Sequence, residues 1–195
     1  MLRKIKTQEE IARKNKQNQI IIGTVMILLL VFSTLGFSIL SRTSDSSSQE
    51  IEQNGFKFFQ ENGRWTTHIA DQSFSFAYLP SQTSDVVIQG EPTLNQYSEK
   101  PLYLVNPKNE AVGEIITNLG GYTLRYQESC FEGFNCSEDL PTKTCEDNII
   151  IFDETGEKTP SKNKEGVYQD KNCIYLSGDQ VKTADAFLYK VLKIN

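Results

Sequence analysis

The dominant pattern in the chain is an uncharged run over residues 20–40, IIIGTVMILLLVFSTLGFSIL, set between a basic lead-in and a serine-rich stretch. At 1.5 Å per residue a helix of that length covers roughly 30 Å, the thickness of a hydrocarbon core. A buried helix of a soluble domain keeps a polar stripe over so many turns, and this segment has none. The pattern predicts a transmembrane helix over 20–40. A cleaved signal peptide is the rival, with Gly36 and Ser38 as small residues of a cleavage site. The polar lead-in over 1–19 and an apolar run beyond the roughly 7–15 residues of a signal core favour an uncleaved signal-anchor.

After residue 50 the pattern changes to short alternations. Aromatic-rich runs over 56–60 and 65–69 flank Asn62-Gly63, a pair that supplies the positive φ of a hairpin turn. Residues 73–79 alternate Phe74, Phe76 and Tyr78 with smaller residues, which is strand periodicity ending at Pro80. A further short strand is expected over 86–89. The apolar run 102–105 leads into Asn106-Pro107, read as N-cap and first helical residue. Ala111, Val112, Ile115, Ile116 and Leu119 then fall on one helix face, with Gly120 as a left-handed stop. A strand over 122–127 completes a βαβ unit, whose strands are parallel.

Two more strands, 148–152 and 173–176, are expected as antiparallel partners across a polar loop containing Gly156, Pro160 and Gly166. Ala184, Phe187, Leu188, Val191 and Leu192 follow helical spacing to the C-terminus, with Thr183 as the expected cap. The fold class predicted is one transmembrane helix plus a mixed-sheet α/β (α+β) soluble domain with a βαβ unit, hairpins and a C-terminal amphipathic helix. The organisation is a basic tail over 1–19, the span over 20–40, a Ser-rich tether over 41–50 and the domain over 51–195. Half of the tether is serine, so it is expected to be a flexible leash with a reach of roughly 17 Å.

Charge adds an orientation. The tail holds Arg3, Lys4, Lys6, Arg13, Lys14 and Lys16 against Glu9 and Glu10, so the rest of a chain of net charge -5 is strongly acidic. Basic residues before the span and a lone Arg42 just after it keep the N-terminus in the cytoplasm and put the domain outside. An acidic domain repels phosphate backbones, which argues against nucleic acid as a partner. The partners expected are the lipid bilayer, through the N-terminal helix, and a protein or other component of the cell envelope.

All four cysteines, Cys130, Cys136, Cys145 and Cys173, lie on the side expected to be oxidising, which predicts two disulfides. The pairing expected is Cys130 with Cys136, closing a small loop, and Cys145 with Cys173, at the entrances of two adjacent strands. Gaps of five, eight and 27 residues do not suit a zinc site, and no C-x-x-C dithiol is present. Strand–helix–strand, hairpin and final helix is similar to the thioredoxin order of elements, with Pro141 before a strand as in that fold. Residues 106–109 stand where the reactive cysteines of that fold belong.

Chemistry is otherwise sparse. His68 is the sole histidine and is expected on a strand surface. Glu128, Glu132, Glu138, Asp139, Glu146 and Asp147 crowd the cysteine loop and are read as a solvated acidic face. Asn106, Lys108 and Asn109 mark a possible anion site, because a helix N-terminus at the carboxyl end of a parallel strand favours negative charge. No catalytic residue, metal ligand or cofactor is predicted. The expectation is a non-enzymatic, membrane-anchored binding or scaffolding module of the envelope. The alternative is an envelope enzyme, either an acidic-residue hydrolase or a divergent thioredoxin-like thiol oxidoreductase.

Overall fold

The computed structural model describes residues 16, 18–32, 49–136, 139–157 and 165–194. It separates into two units, Met1–Ser48 and Gln49–Asn195. In the first, residues 18–32 form helix α1, with side chains of Ile20, Leu30 and Phe32 more than half exposed. No helix among the described residues is long and apolar enough to cross a membrane. Residues 33–40 of the expected span, the candidate cleavage residues Gly36 and Ser38, and positions 41–48 of the expected tether lie outside the described residues.

The second unit is a mixed α+β fold. Strands β1 (Glu50–Gln53), β2 (Phe56–Glu61), β3 (Arg64–Ile69) and β4 (Gln72–Phe76) form an antiparallel meander in that order. Its turns follow from the residues that make them. Asn62 and Gly63 have φ of 51° and 79° between Glu61 and Arg64, and Asn54 and Gly55 have 52° and 80° between Gln53 and Phe56. Positive φ at both central residues matches the right-handed twist of the flanking strands. Strand β1 was not expected. It begins at Glu50, inside the stretch read as tether, because Ile51 packs inward although the residues around it are polar.

The larger sheet has six strands in the order β5-β11-β12-β10-β6-β7, with β5 Val87–Gln89, β6 Pro101–Val105, β7 Arg125–Glu128, β10 Ile149–Asp153, β11 Gly166–Asp170 and β12 Cys173–Ser177. Strands β6 and β7 run parallel around helix α2 (Asn109–Leu119), as the βαβ pattern predicts. Strand β7 starts at Arg125 rather than residue 122 and forms an edge with all four residues exposed.

One strand sense differs from expectation. Strands β10 and β12 are parallel, in register Ile149 with Cys173, and the antiparallel partner of β12 is β11. The sequence 166–170, GVYQD, falls at the end of the expected polar loop containing Gly156, Pro160 and Gly166. In the fold it pairs on both sides, and Gly166 sits where an added Cβ would lie 2.7 Å from the Val87 carbonyl oxygen. Inserting one strand between two others in sequence turns an antiparallel pair into a parallel one.

The central strands are buried on both faces, which is why PLYLV, IIIFD and CIYLS read as continuous apolar runs. Leu102, Leu104, Ile150, Phe152, Ile174 and Leu176 face a core shared with α2, helix α3 (Gln180–Leu192) and the meander. Tyr103, Val105, Ile149, Ile151, Tyr168 and Tyr175 face the other way, against Phe131 and Phe134 of the cysteine loop. That loop carries a two-stranded ladder, β8 (Cys130–Phe131) with β9 (Thr142–Lys143). Helix α3 is the hub of the first face. Tyr189 contacts Phe58 and Phe76 of the meander, and Phe187 lies edge-on to Tyr97.

The helix ends also differ from their expected caps. Pro107 disfavours helical geometry in the residue before it, and Asn106 takes φ 52°, so α2 starts after Lys108 rather than Asn106. Gly120 stays right-handed at φ -58°, with its N–H on the Ile116 carbonyl. In α3 the cap is Asp179, whose carboxylate accepts from Val181 and Lys182 N–H at 3.0 Å. Thr183 lies one turn inside and donates its hydroxyl to the Asp179 carbonyl.

The disulfides are Cys130–Cys136 and Cys145–Cys173, the pairing expected. They close segments with sequence separations of 6 and 28 residues. Chain entropy assigns about 2 kcal/mol to the short bridge and about 3–4 kcal/mol to the long one. Denaturant unfolding of the Cys145→Ser/Cys173→Ser and Cys130→Ser/Cys136→Ser variants will therefore show the larger loss for the first. Equal losses would exclude loop closure as the source of the stabilisation.

Candidate functional site

The carboxyl ends of the parallel strands carry the anion site suggested by sequence. Asn106, Lys108 and Asn109 are exposed at the end of β6. The polar groups of Lys108 are already engaged. The Lys108 N–H donates to the Gln180 side-chain carbonyl at 2.8 Å, and the Lys108 ammonium pairs with Glu154. Glu110 adds a second carboxylate in the first turn of α2. An incoming anion would compete with two carboxylates of the protein itself, which offsets the favourable helix pole.

A different constellation lies between the meander and the helices. Arg64 on β3 donates two hydrogen bonds of 2.7 Å to the two carboxylate oxygens of Glu114 on α2. Its remaining donors reach the hydroxyl and carbonyl of Ser75 on β4 at 2.9 and 3.0 Å. Asn118, one turn beyond Glu114, accepts from the Ser75 N–H and donates to the Ser75 and Glu114 carbonyls. Asp185 on α3 accepts from the backbone N–H of Ala77 and Tyr78 at 2.9 and 2.8 Å through one oxygen. Tyr189, one turn later, donates its hydroxyl to the Tyr78 carbonyl.

Burial sets the electrostatics of this cluster. Glu114 is 3% exposed and Asp185 0%. Loss of solvent pushes the Asp185 carboxyl up to about 9, and the neighbouring Glu114 charge pushes in the same direction. Arg64 moves further up because its guanidinium is hydrogen-bonded to Glu114. The Tyr189 phenol is raised as well, first by burial and then by the Asp185 charge. The four groups form one coupled unit that ties β3, β4, α2 and α3 together.

These residues were missed in the sequence although a signal was present. Glu114 and Asn118 lie three and seven residues after Ala111, so they belong to the buried stripe 111, 114, 115, 118 and 119. A polar pair spaced four apart inside an apolar stripe marks a buried network rather than a solvent face. Val112 and Ile116, expected on the same face as Ala111, Ile115 and Leu119, lie at its half-buried margin, and Glu114 and Asn118 take the opposite margin inside the core.

The cysteine loop places its acidic residues as expected. Glu128, Glu132, Asp139 and Glu146 are exposed, Asp147 pairs with Lys143 at 3.3 Å, and Glu138 lies outside the described residues. Beneath them the Tyr103 hydroxyl accepts from Arg125 at 3.4 Å, and the Lys143 ammonium lies 4.1 Å from the Tyr103 ring centre. Arg125 first and Lys143 second hold that phenol below its ordinary range. His68 is exposed on β3, edge-on to Phe59. All four sulfurs are in disulfides, and Cys173 is fully buried.

An open groove of about 440 Å³ runs between the β3–β4 turn and the end of α3. Its walls are Ile69, Phe74, Leu94, Tyr122, Val191 and Leu192, with Gln72, Asn95 and Lys193 at the rim. It combines apolar walls with a few polar groups, the usual makeup of a binding site.

Fold and cross-links define a two-disulfide α+β module. No family model, curated protein or solved structure matches the chain.

Removing Arg64 leaves Glu114 buried without its partner, and breaking such a pair costs about 3–5 kcal/mol. Arg64 is partly exposed, so the lower end is expected for Arg64→Ala, read as a shift in the denaturant midpoint. Arg64→Lys keeps the charge but not the two-pronged geometry, and will recover only part of that loss.

Proposed function

We propose that the protein is a single-pass membrane protein whose module over 49–195 acts outside the cytoplasm as a non-enzymatic binding or scaffolding unit of the cell envelope. The observation that carries this reading is the pair of disulfides. Structural disulfides persist in oxidising compartments and are rare where glutathione keeps thiols reduced. The exposed apolar side chains of α1, at the front of the uncharged run 20–40, support the membrane half. The basic tail ahead of that run supports the orientation.

The same structure supports binding over catalysis. Its carboxyl pair, Glu114 with Asp185, is enclosed in the core rather than open to a substrate. Its sulfurs are committed to bridges that join secondary-structure elements or close a loop. The groove beside Tyr122 and Leu192 is the surface through which we place partner contact. Apolar walls would take up the buried part of the partner, and Gln72, Asn95 and Lys193 would set its orientation.

Fractionation of the full-length chain in cells tests the address. The chain should resist alkaline extraction from membranes, and its cysteines should react with an impermeant maleimide only after reduction. Recovery in the soluble fraction with four reactive thiols would overturn both halves of the proposal. For the groove, a photo-crosslinking amino acid at Leu94 or Tyr122 should give one adduct of defined mass, absent when the label stands at Glu132. Adducts that are the same from all three positions would remove the groove from the reading.

A further inference from the structure

The polar cluster between the meander and the helices contains one atom that its neighbours leave unexplained. Asp185 Oδ2 accepts from two backbone N–H groups, whereas Oδ1 is fully buried and meets no hydrogen-bond donor among the described residues. The side chain that acts on the Asp185 carboxyl is Glu114, another carboxyl group. Two carboxylates facing each other in a buried site repel, and each would lose solvation without compensation.

Every charged or titratable group facing Asp185 can be named. From β3 comes Arg64, whose Nη1 and Nη2 each donate to Glu114 and whose Nε and Nη2 also donate to Ser75. From α2 comes Glu114, and from α3 itself comes Tyr189, whose hydroxyl is turned to the Tyr78 carbonyl. The segment after β4 contributes only backbone N–H groups. With both carboxyls ionised, Arg64, Glu114 and Asp185 carry a net negative charge in the core. With one proton added, the trio is neutral and the orphaned oxygen becomes a donor.

We infer that Asp185 is held as the neutral acid and donates its proton in a hydrogen bond from Oδ1 to Glu114, so that the trio acts as a proton-locked joint fastening the meander to α2 and α3. Glu114 is the carboxylate of the pair, because it already accepts both prongs of Arg64. Asp185 is the acid, because no cation among the described residues is hydrogen-bonded to it, and burial with the Glu114 charge outweighs the two N–H groups, which favour the charged form. Loss of the proton removes the hydrogen bond from Oδ1 and places a second charge against Glu114, which loosens the joint between α2 and α3.

The sign of the pH dependence follows. Asp185 binds its proton more tightly folded than unfolded, so the stabilisation is complete at and below the ordinary carboxylate range. It declines as pH rises from about 4 towards about 9, where the folded carboxyl finally ionises. The direction is opposite to that of a salt-bridged carboxylate, which loses stability on acidification.

The test uses the full-length chain in detergent micelles, wild type beside Asp185→Asn. Asparagine keeps the shape, accepts the two N–H bonds and donates an N–H to Glu114, so it imitates the protonated form at every pH. The thermal midpoint of the wild type should fall by roughly 5 °C or more between pH 6 and 10 relative to the variant. Amide protection factors around the joint, corrected for the general rise of intrinsic exchange with pH, should fall over the same range in the wild type alone. Parallel pH curves for the two proteins would overturn the proposal. Should the variant not fold, carbon-13 NMR of aspartate carboxyls in the wild type decides. One resonance should keep its protonated position through neutral pH, whereas titration of all of them below pH 6 would exclude the shared proton.

Discussion

The central strands of the six-stranded sheet bury both of their faces, and the remainder of the module is arranged to meet that requirement. Alternate residues of β6, β10 and β12 point to opposite sides, and on either side they are apolar and nearly inaccessible. At about 25 cal/mol per Å² of apolar surface, leaving either face open would forfeit several kcal/mol for each large side chain exposed. One face is covered by α2, α3 and the meander, which bring aromatic rings of their own. The other takes its cover from a segment with little regular structure, the loop around β8 and β9.

Such a loop has a weak claim to a fixed position, since it contributes chiefly Phe131 and Phe134 to the buried side. Cross-linking supplies what its core lacks. The long bridge joins Cys145, in the approach to β10, to the first residue of β12, and so anchors the loop to the middle of the sheet. The short bridge closes the loop on itself next to β8. Disulfides here do the work that extra apolar residues would do in a larger domain.

Much of this was legible from the pattern of residues, and the failures have definite causes. The Asn62-Gly63 hairpin, the βαβ unit and the final helix could be read because each depends on local chemistry: positive φ in the turn and an apolar stripe along each helix. The sense of β10 and β12 could not, because it depends on whether GVYQD forms a strand, and that segment is stabilised by its neighbours on both sides rather than by its own composition. The cysteine pairing was nevertheless inferred correctly, since it assumed that the beginnings of two strands lie together. That condition holds for parallel strands, so the pairing of Cys145 with Cys173 was itself a clue to the strand sense that the loop composition hid. The buried network was misread for a third reason. Glu114, Asn118 and Asp185 look like surface residues one at a time, and only their joint position on buried helix faces gives them away.

Two different chemistries therefore hold the two faces of one sheet. On the cysteine-loop side the fastening is covalent and answers to reduction, because the loop has few other contacts to fall back on. On the helix side it is a buried polar joint that answers to proton activity, because Arg64 balances one carboxylate and leaves the second to be neutralised by a proton. The apolar packing of Phe58, Phe76 and Tyr189 surrounds that joint and excludes water from it, which is also what keeps the proton in place. A reductant and an alkaline medium should thus loosen opposite faces of the same sheet, and a module built in this way is stable under oxidising conditions at neutral pH without depending on either face alone.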